Sequence, residues 1–387
     1  MPEAVIVDAI RTPIGRAFKG SLASLRPDDT GAFVVDQLLE RNPEVPPELI
    51  EELICGCGLP QGLQAFNIGR IIALLSEKLP MGVAGSTVSR YCASGLEAIR
   101  IAANAVRAGE GDAYIAAGVE WVSRYNERQE AAGVADQNEK LQGKDGQPNA
   151  YIAMGLTAEN VAERYGVSRE EQDRYAQRSQ ERAVAAQESG FFDREIVPVT
   201  LPDGTVVSKD DGPRPSSSLE KLAQLEPAFK EGGTVTAGNA CPLNDGAAAV
   251  LVMSDTKAKE LGLKPRARVV ASATAAIEPE YMGVGPIPAI RKVLDRAGMT
   301  IGDVDVVELN EAFAAQVLPI AEECEIDMEK LNPHGGAIAL GHPFGMTGAR
   351  IMATLLNDLE TLDGTIGLET MCVAGGMGQA MVVERLR

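Results

Sequence analysis

One order of features occurs twice in this chain. A reactive side chain leads into an amphipathic segment, then a Gly/Asp turn, then a strand. In the first copy Cys92 opens a helical pattern reaching Ala108, with Leu96, Ile99, Ala103 and Val106 near one face. Gly109 ends it, Gly111-Asp112 turns the chain, and Ala113–Ala117 reads as a strand. In the second copy His342 leads into a helical pattern from about Thr347 to Leu359, followed by Asp363-Gly364 and the strand Thr365–Glu369. This repetition predicts an internal duplication into two similar halves. It would put the two reactive groups at equivalent helix starts, facing each other.

The rest of the chain fits around these copies. Val5-Ile6-Val7, Leu53–Cys57, Arg266–Ala273 and Val304–Leu309 read as strands. Thr30–Glu40, behind a threonine cap, and Ile287–Ala297 read as helices. Strands alternating with helices predict an α/β class with a mostly parallel sheet. From 121 to about 245 the pattern breaks. Trp121–Pro148 is polar and weakly periodic and reads as loop, Thr157–Ser189 is helical and charged, and Pro198–Gly233 is rich in Pro, Gly, Asp and Ser. This stretch reads as an excursion carried by the α/β core, the kind of long connection that often holds function.

Bulk properties narrow the partners. The 387 residues allow two or three domains. Lys and Arg total 36 against 55 Asp and Glu, a net charge of −19. That argues against nucleic acid and against docking on anionic lipid, both of which need a basic face. An anionic small ligand stays open, since a few placed cations and backbone N–H groups suffice. The first residues carry Glu3 and Asp8 and no basic region, so they read as a strand and not a signal peptide. No apolar run approaches the roughly 18 residues of a membrane helix. Six cysteines without a dense framework fit a reducing, cytoplasmic setting.

Four sites could carry chemistry. Cys92 could be a nucleophile, because a helix N-terminus favours thiolate; the plainer reading is a buried helix-capping thiol. The chain has only two histidines, His334 and His342. His342, between Gly341 and Pro343, could take the Cys92 proton and donate to a substrate carbonyl, or simply brace a turn. His334, beside Pro333, reads as a loop-shaping residue. Cys372 precedes a Gly-rich turn whose N–H groups could form an anion-binding nest, and a second thiol there could move protons. Its alternative is a packed sheet end. Asn310 lies where a strand meets a helix and could hold a water or a carbonyl, or cap the helix. Cys55 and Cys57 share one strand face, but no clustered His or Cys completes a metal site, so no metal is expected. The phosphate-loop and G-x-S-x-G patterns do not occur, and Gly56-Cys57-Gly58 lacks the third glycine of a dinucleotide fingerprint.

Taken together and in order, these segments resemble the thiolase family along essentially the whole chain. The matching pieces include Arg11-Thr12-Pro13-Ile14-Gly15, the Cys92 segment, Met154-Gly155-Leu156-Thr157-Ala158-Glu159-Asn160 and Asn244-Asp245-Gly246-Ala247. Met282-Gly283-Val284-Gly285-Pro286, Asn310-Glu311-Ala312-Phe313, Gly341-His342-Pro343 and Cys372 complete them. The resemblance implies a five-layer αβαβα core of two similar halves. The first half would span 1–120, completed by about 246–268; a CoA-binding loop domain would occupy 121–245; the second half would span 269–387. It implies acyl exchange between coenzyme A thioesters, in a degradative 3-oxoacyl-CoA thiolase of fatty acid β-oxidation. A biosynthetic acetoacetyl-CoA thiolase is the alternative, and a non-catalytic acyl- or sterol-binding relative a remote one.

By the same resemblance Cys92 would be acylated and His342 would take its proton and help bind the thioester oxygen. Asn310 would hold a water in that oxyanion site, and Cys372 would protonate the departing acetyl-CoA enolate. The backbone N–H groups of Cys92 and Ala374 would form the second oxyanion site. Arg214 would meet the nucleotide end of CoA, and Met154, Phe229 and Phe313 would line the pantetheine and acyl pocket. CoA would come as co-substrate, with no permanent cofactor, in a homodimer or homotetramer. Ala374 stands where the family often has glycine, Ser89 where it often has asparagine, Ala153 where some members have histidine, and Cys241-Pro242 where many have Ser-Gly. By the resemblance, the residue at the Cys241 position, a serine in many members, would contact the pantetheine arm.

Overall fold

The computed structural model describes residues 2–124 and 137–387. The loop expected at 121–148 therefore falls partly outside the described residues.

The first half runs β1 (Ala4–Arg11), β2 (Gly15–Arg16), α1 (Pro27–Arg41), β3 (Ile50–Cys57), α2 (Ile68–Leu75), β4 (Ala84–Val88), α3 (Ser94–Ala108) and β5 (Ala113–Trp121). The insert carries α4 (Met154–Tyr165), α5 (Arg169–Glu188), the short strands β6 (Val199–Thr200) and β7 (Val206–Val207), and α6 (Leu219–Ala223). Next come β8 (Asn244–Ser254), which returns to the first half, and α7 (Asp255–Glu260). The second half runs β9 (Ala267–Ala276), α8 (Pro286–Ala297), β10 (Val306–Leu309), α9 (Ala314–Glu323), α10 (Ala337–Leu340), α11 (Phe344–Thr361), β11 (Ile366–Val373) and β12 (Met377–Arg385).

Local chemistry accounts for several boundaries. α1 starts earlier than the threonine suggested, because Pro27 at its first position needs no N–H partner; Thr30 lies inside and donates to the Arg26 carbonyl at 2.8 Å. α3 ends at Gly109, in the left-handed conformation at φ 77°. The charged helical stretch is two helices, parted by left-handed Gly166 at φ 67° and restarted by a Ser168/Glu171 capping box. α11 begins at Phe344, not Thr347: Gly345 and Gly348 look like helix breakers in sequence, but packing outweighs their propensity.

The sheet path is β10-β11-β12-β9-β1-β8-β5-β3-β4. Read outward from its middle, it contains the same motif twice. β3 and β5 are parallel, β5 and β8 antiparallel, and β8 and β1 antiparallel. β10 and β11 are parallel, β11 and β12 antiparallel, and β12 and β9 antiparallel. Even β4, parallel beside β3, has a counterpart in the parallel bridge between Val307 and Leu331 beside β10. Among the described residues the strands of the two motifs pair only where Val5 and Ile6 of β1 meet Arg268 and Ala267 of β9.

Helices fill the layers between and outside. α1 and α2 cover the first-half strands, α8 packs on β9 and β12 of the second half beside α9, and α3 and α11 lie in the middle. α11 is buried from Gly345 to Leu359 and packs on strands of both halves. The result is the five-layer αβαβα core. α3 and α11 cross at glycines: a Cβ on Gly95 would lie 2.8 Å from both the Gly345 carbonyl oxygen and the Ala349 nitrogen. Only glycine lets the two helix starts approach so closely. The insert leans on the second half through α4 and α5 against α9 and α10. Both ends of its middle section hold β1, since buried Arg11 donates to Glu195 at 2.6 Å and to Asp210 at 2.7 Å. Among the described residues no helix is long and apolar enough to cross a membrane.

Candidate active site

Cys92 lies in a single 3₁₀ turn, Tyr91–Ala93, between β4 and α3. Tyr91 holds a left-handed backbone at φ 44°, a strained conformation for an aromatic residue. This sharp turn presents the partly buried Cys92 at the helix start and packs against α11 and β11 of the other half. Sequence argued for a thiolate here. In the structure, burial pushes the Cys92 thiol well above its ordinary range, and nearby Cys372, Cys241 and Glu120 push it further. Desolvation thus outweighs the helix N-terminus, and the resting sulfur is a neutral thiol.

His342 occupies the matching place in the second half. α3 and α11 each begin two residues after the reactive side chain. The ring is buried, and burial together with Arg350 pulls its pKa down to about 3. Its backbone N–H donates to Asn244 Oδ1 at 3.0 Å. Gly341 at φ 113° brings the chain close to Asn244, so that a Cβ there would lie 2.5 Å from the amide. Thr347 Oγ1 donates to the Pro343 carbonyl at 2.8 Å and lies 2.6 Å from His342 Nδ1. With its proton spent on that carbonyl, the Thr347 oxygen accepts from Nδ1–H. Nε2 then carries the lone pair, facing the Asn310 Nδ2 donor at 3.3 Å. The imidazole is a neutral base with a fixed tautomer.

Asn310 follows β10 and is not a helix cap; that position belongs to Phe313. Its backbone N–H donates to the Thr370 carbonyl at 3.0 Å. The buried Oδ1 has no protein partner among the described residues. The adjacent Glu311 ties this segment to the insert by accepting from Tyr175 at 2.7 Å and Ser179 at 2.6 Å.

Cys372 is buried near the end of β11, paired in register with Gly378. Burial pushes its thiol up to about 11, against the opposing pull of Gln316, whose Nε2 donates to Sγ at 3.0 Å. Ala374, Gly375 and Gly376 link β11 to β12, with the two glycines at φ 81° and 78°. Among the described residues no backbone carbonyl in a turn or loop accepts from the N–H of Cys92 or Ala374. The candidate groups are thus two neutral thiols close enough to interact electrostatically, and a neutral base beside an amide whose oxygen has no protein partner among the described residues.

The remaining expected contacts divide in two. Phe313, Cys241 and Met154 pack in one apolar cluster with Cys372, Met282 and Ala312. Cys241 donates its N–H to the Ala312 carbonyl at 2.9 Å, and burial pushes its thiol up to about 12. Phe229, half-exposed, meets Phe313 edge to face at 6.0 Å and covers Gly155. Arg214 lies apart: its N–H donates to Gln180 Oε1 at 2.8 Å, and its charge is near that of Arg16. His334 stacks on Phe191 at 3.6 Å and bonds Asp358, away from these groups.

Sequence reasoning missed Thr347, Asn244 and Gln316. Thr347 had a usable signal, since a hydroxyl in the first turns of a helix can face the residue that precedes it. Asn244 is 98 positions from His342 and Gln316 is 56 from Cys372, separations that no local pattern bridges. Glu120 was also missed; it accepts from the N–H groups of Gly58 at 2.7 Å and Gly345 at 2.8 Å, tying the Cys92 half to the start of α11.

Comparisons with known proteins agree with this architecture. The family profile for the thiolase N-terminal domain matches residues 4–256, and that for the thiolase C-terminal domain matches residues 263–385. A β-ketoadipyl-CoA thiolase of Acinetobacter baylyi is 46% identical over 407 residues, covering 100% of both chains. An acetyl-CoA acetyltransferase of Chromobacterium violaceum is 46% identical over 398 residues, covering 99% of this chain and 100% of the relative. The crystal structure of the Bacillus anthracis acetyl-CoA acetyltransferase superimposes with a TM-score of 0.92 at 40% identity, covering 100% of this chain and 99% of that one. The two-fold repeated core and these full-length matches lead to one conclusion: the chain belongs to the thiolase family.

Proposed function

We propose that this protein cleaves 3-oxoacyl-CoA with coenzyme A, giving acetyl-CoA and a shortened acyl-CoA through an acyl group on Cys92. The observation that carries this reading is a neutral His342, fixed with its Nε2 lone pair beside Asn310, together with two neutral thiols from opposite halves that interact with each other. As the Cys92 sulfur attacks the 3-oxo carbon, its proton passes to His342 Nε2. The Cα–Cβ bond then breaks and its electrons form the acetyl-CoA enolate. Cys372 gives its proton to that carbon; the resulting Cys372 thiolate takes the proton of the incoming CoA thiol, whose sulfur attacks the acyl group, and the released Cys92 sulfur recovers its proton from His342. A covalent intermediate divides one difficult exchange into two easier ones.

Two polar pockets hold the developing charge in this scheme. His342 with a water on Asn310 takes one thioester oxygen, and the N–H groups of Cys92 and Ala374 take the other. CoA lies against the insert, with Met154, Phe229, Cys241 and Phe313 along the pantetheine and Arg214 at the nucleotide end. Run backwards, the same groups condense two acetyl-CoA molecules. The relatives named for β-ketoadipyl-CoA, and one from Escherichia coli named 3-oxoadipyl-CoA/3-oxo-5,6-dehydrosuberyl-CoA thiolase, support a degradative role on a dicarboxylic acyl chain over fatty acid β-oxidation. A cytoplasmic homo-oligomer completes the proposal; the unpaired edge of β4, with exposed Met81 and Phe66 nearby, supports pairing with a second copy.

Two measurements test it together. Thiolysis rates across a 3-oxoacyl-CoA series should peak at 3-oxoadipyl-CoA. Brief exposure to acetoacetyl-CoA should leave an acyl mass on the Cys92 peptide. An acyl group found only on another cysteine would reject the chemistry, and a peak at long unbranched chains would reject the substrate class.

A further inference from the structure

Packing alone gives Gln316 no reason to be polar. It lies in the first turn of α9 and is fully buried. Its Nε2 donates to Cys372 Sγ at 3.0 Å, while Oε1 has no partner among the described residues. A buried unpartnered amide oxygen is costly, and leucine or methionine would fill the volume without that cost. The surroundings are also cut to admit this side chain. A Cβ on Gly283, in the turn before α8, would lie 2.9 Å from Gln316 Cβ and 3.4 Å from its Oε1.

The other groups at the sulfur cannot do what this amide does. The titratable ones are Cys92 and Cys241, thiols that burial itself pushes upward. The rest of the wall is apolar, from Met282, Ala312 and Phe313. None of these brings a positive charge to a thiolate at Cys372.

We propose that Gln316 is a positioning residue for Cys372, its amide N–H orienting the sulfur and stabilising the thiolate that takes the α-proton of acetyl-CoA. This rests on the reading of Cys372 as the acid/base. In that step the C–H electrons become the enolate, the proton goes to sulfur, and the Gln316 hydrogen bond weakens as the thiolate charge is lost. The direction of the Gln316 effect agrees, since its contact opposes the upward push of burial on this thiol.

The step can be read without the rest of the reaction, as deuterium exchange into the methyl group of acetyl-CoA in D₂O. Removing a hydrogen bond to a charged group costs on the order of a 10- to 100-fold loss. Gln316→Leu should lower exchange by that factor and move its alkaline midpoint upward, while acylation of Cys92 stays within about twofold. Gln316→Met, which keeps the side-chain length, repeats the measurement if the leucine variant does not fold. A purely structural role would not move the midpoint. Unchanged exchange in both variants, or acylation falling in parallel with exchange, would overturn the proposal. Normal exchange in Cys372→Ser would overturn the acid/base reading itself; lost exchange there with normal exchange in Gln316→Leu would overturn only the role of Gln316.

Discussion

The two halves close their sheets with equivalent antiparallel pairs, but connect them in opposite ways. β11 passes to β12 through three residues, Ala374 to Gly376, whereas β5 passes to β8 through residues 122–243. The short connection can only be a tight, Gly-rich turn, and it leaves an N–H beside Cys372. The long one travels out, builds α4 and α5, and returns with Met154 and Cys241 in the apolar cluster that holds the same sulfur. One topological point therefore gives a tight Gly-rich turn in one half and a helical insert in the other. In a duplicated core the division of labour lies in the loops at matching points, while strand order and register stay common.

The largest test sets glycines of the two connections against each other. Gly376 at φ 78° lies against the Ile277 carbonyl, and a Cβ would be 2.8 Å from the Pro279 nitrogen. Gly204, in the β6–β7 turn of the insert at φ 87°, would meet nothing within 4 Å. Left-handed strain costs either alanine variant about 1–2 kcal/mol. Gly376→Ala adds a backbone collision, so we expect a total of ~3 kcal/mol or more in urea unfolding and roughly 100-fold lower turnover. Gly204→Ala should show the strain alone, with turnover unchanged. Equal effects of the two would break the comparison.

A middle-sized effect is expected where the halves are tied. At the end of β5, Glu120 accepts from Gly58, Leu59, Gly345 and the Gln64 amide. Burial pushes its carboxyl up to about 7, against the opposing pull of these donors. In Glu120→Gln one acceptor oxygen becomes an NH₂ facing N–H groups. Leaving a buried donor unpaired costs about 1–3 kcal/mol. We expect ~2 kcal/mol lower stability at pH 8, where the wild-type carboxylate is charged, and slower Cys92 acylation because Gly345 helps set the start of α11. A variant as stable as wild type would remove Glu120 as the tie.

Much of this plan was legible in the sequence, and the limits have a common cause. Helix and strand periods, the Gly/Asp turns and the repeated order of Cys92 and His342 report local structure, and local structure is what duplication copies. Sequence periodicity runs Thr157–Ser189 together, although the capping-box spacing of Ser168 and Glu171 marks the break after Gly166. The true start of α11 was not legible. Gly345 and Gly348 serve contacts with the other half, and in isolation the same residues read as breakers. Gln316, Asn244 and Glu120 act through partners 56 to 225 positions away. The charge state of Cys92 was not decidable from its helix start alone, because desolvation belongs to the assembled core.

That charge state leads to the smallest expected effect, which concerns the matched helix starts. One presents a proton donor, Cys92, and the other an acceptor, His342. An imidazole with an ordinary pKa near 6.5 would be about 90% protonated at pH 5.5, and a base-dependent acylation would slow about tenfold from its plateau. His342 is held down to about 3, so it stays a free base throughout that range. In Glu120→Gln, where the neighbouring carboxyl no longer titrates in this range, single-turnover acylation of Cys92 should therefore change less than about twofold between pH 7.5 and 5.5. The sign for stability is the reverse of this indifference. The unfolded chain takes up the proton near 6.5 and the folded one near 3, so folding weakens as pH falls through that interval. Stopped-flow acylation on protein still folded at pH 5.5 separates the two. A tenfold loss with a midpoint near 6.5 would mean that His342 titrates freely, and that burial does not make the second half's helix start the proton acceptor for the first.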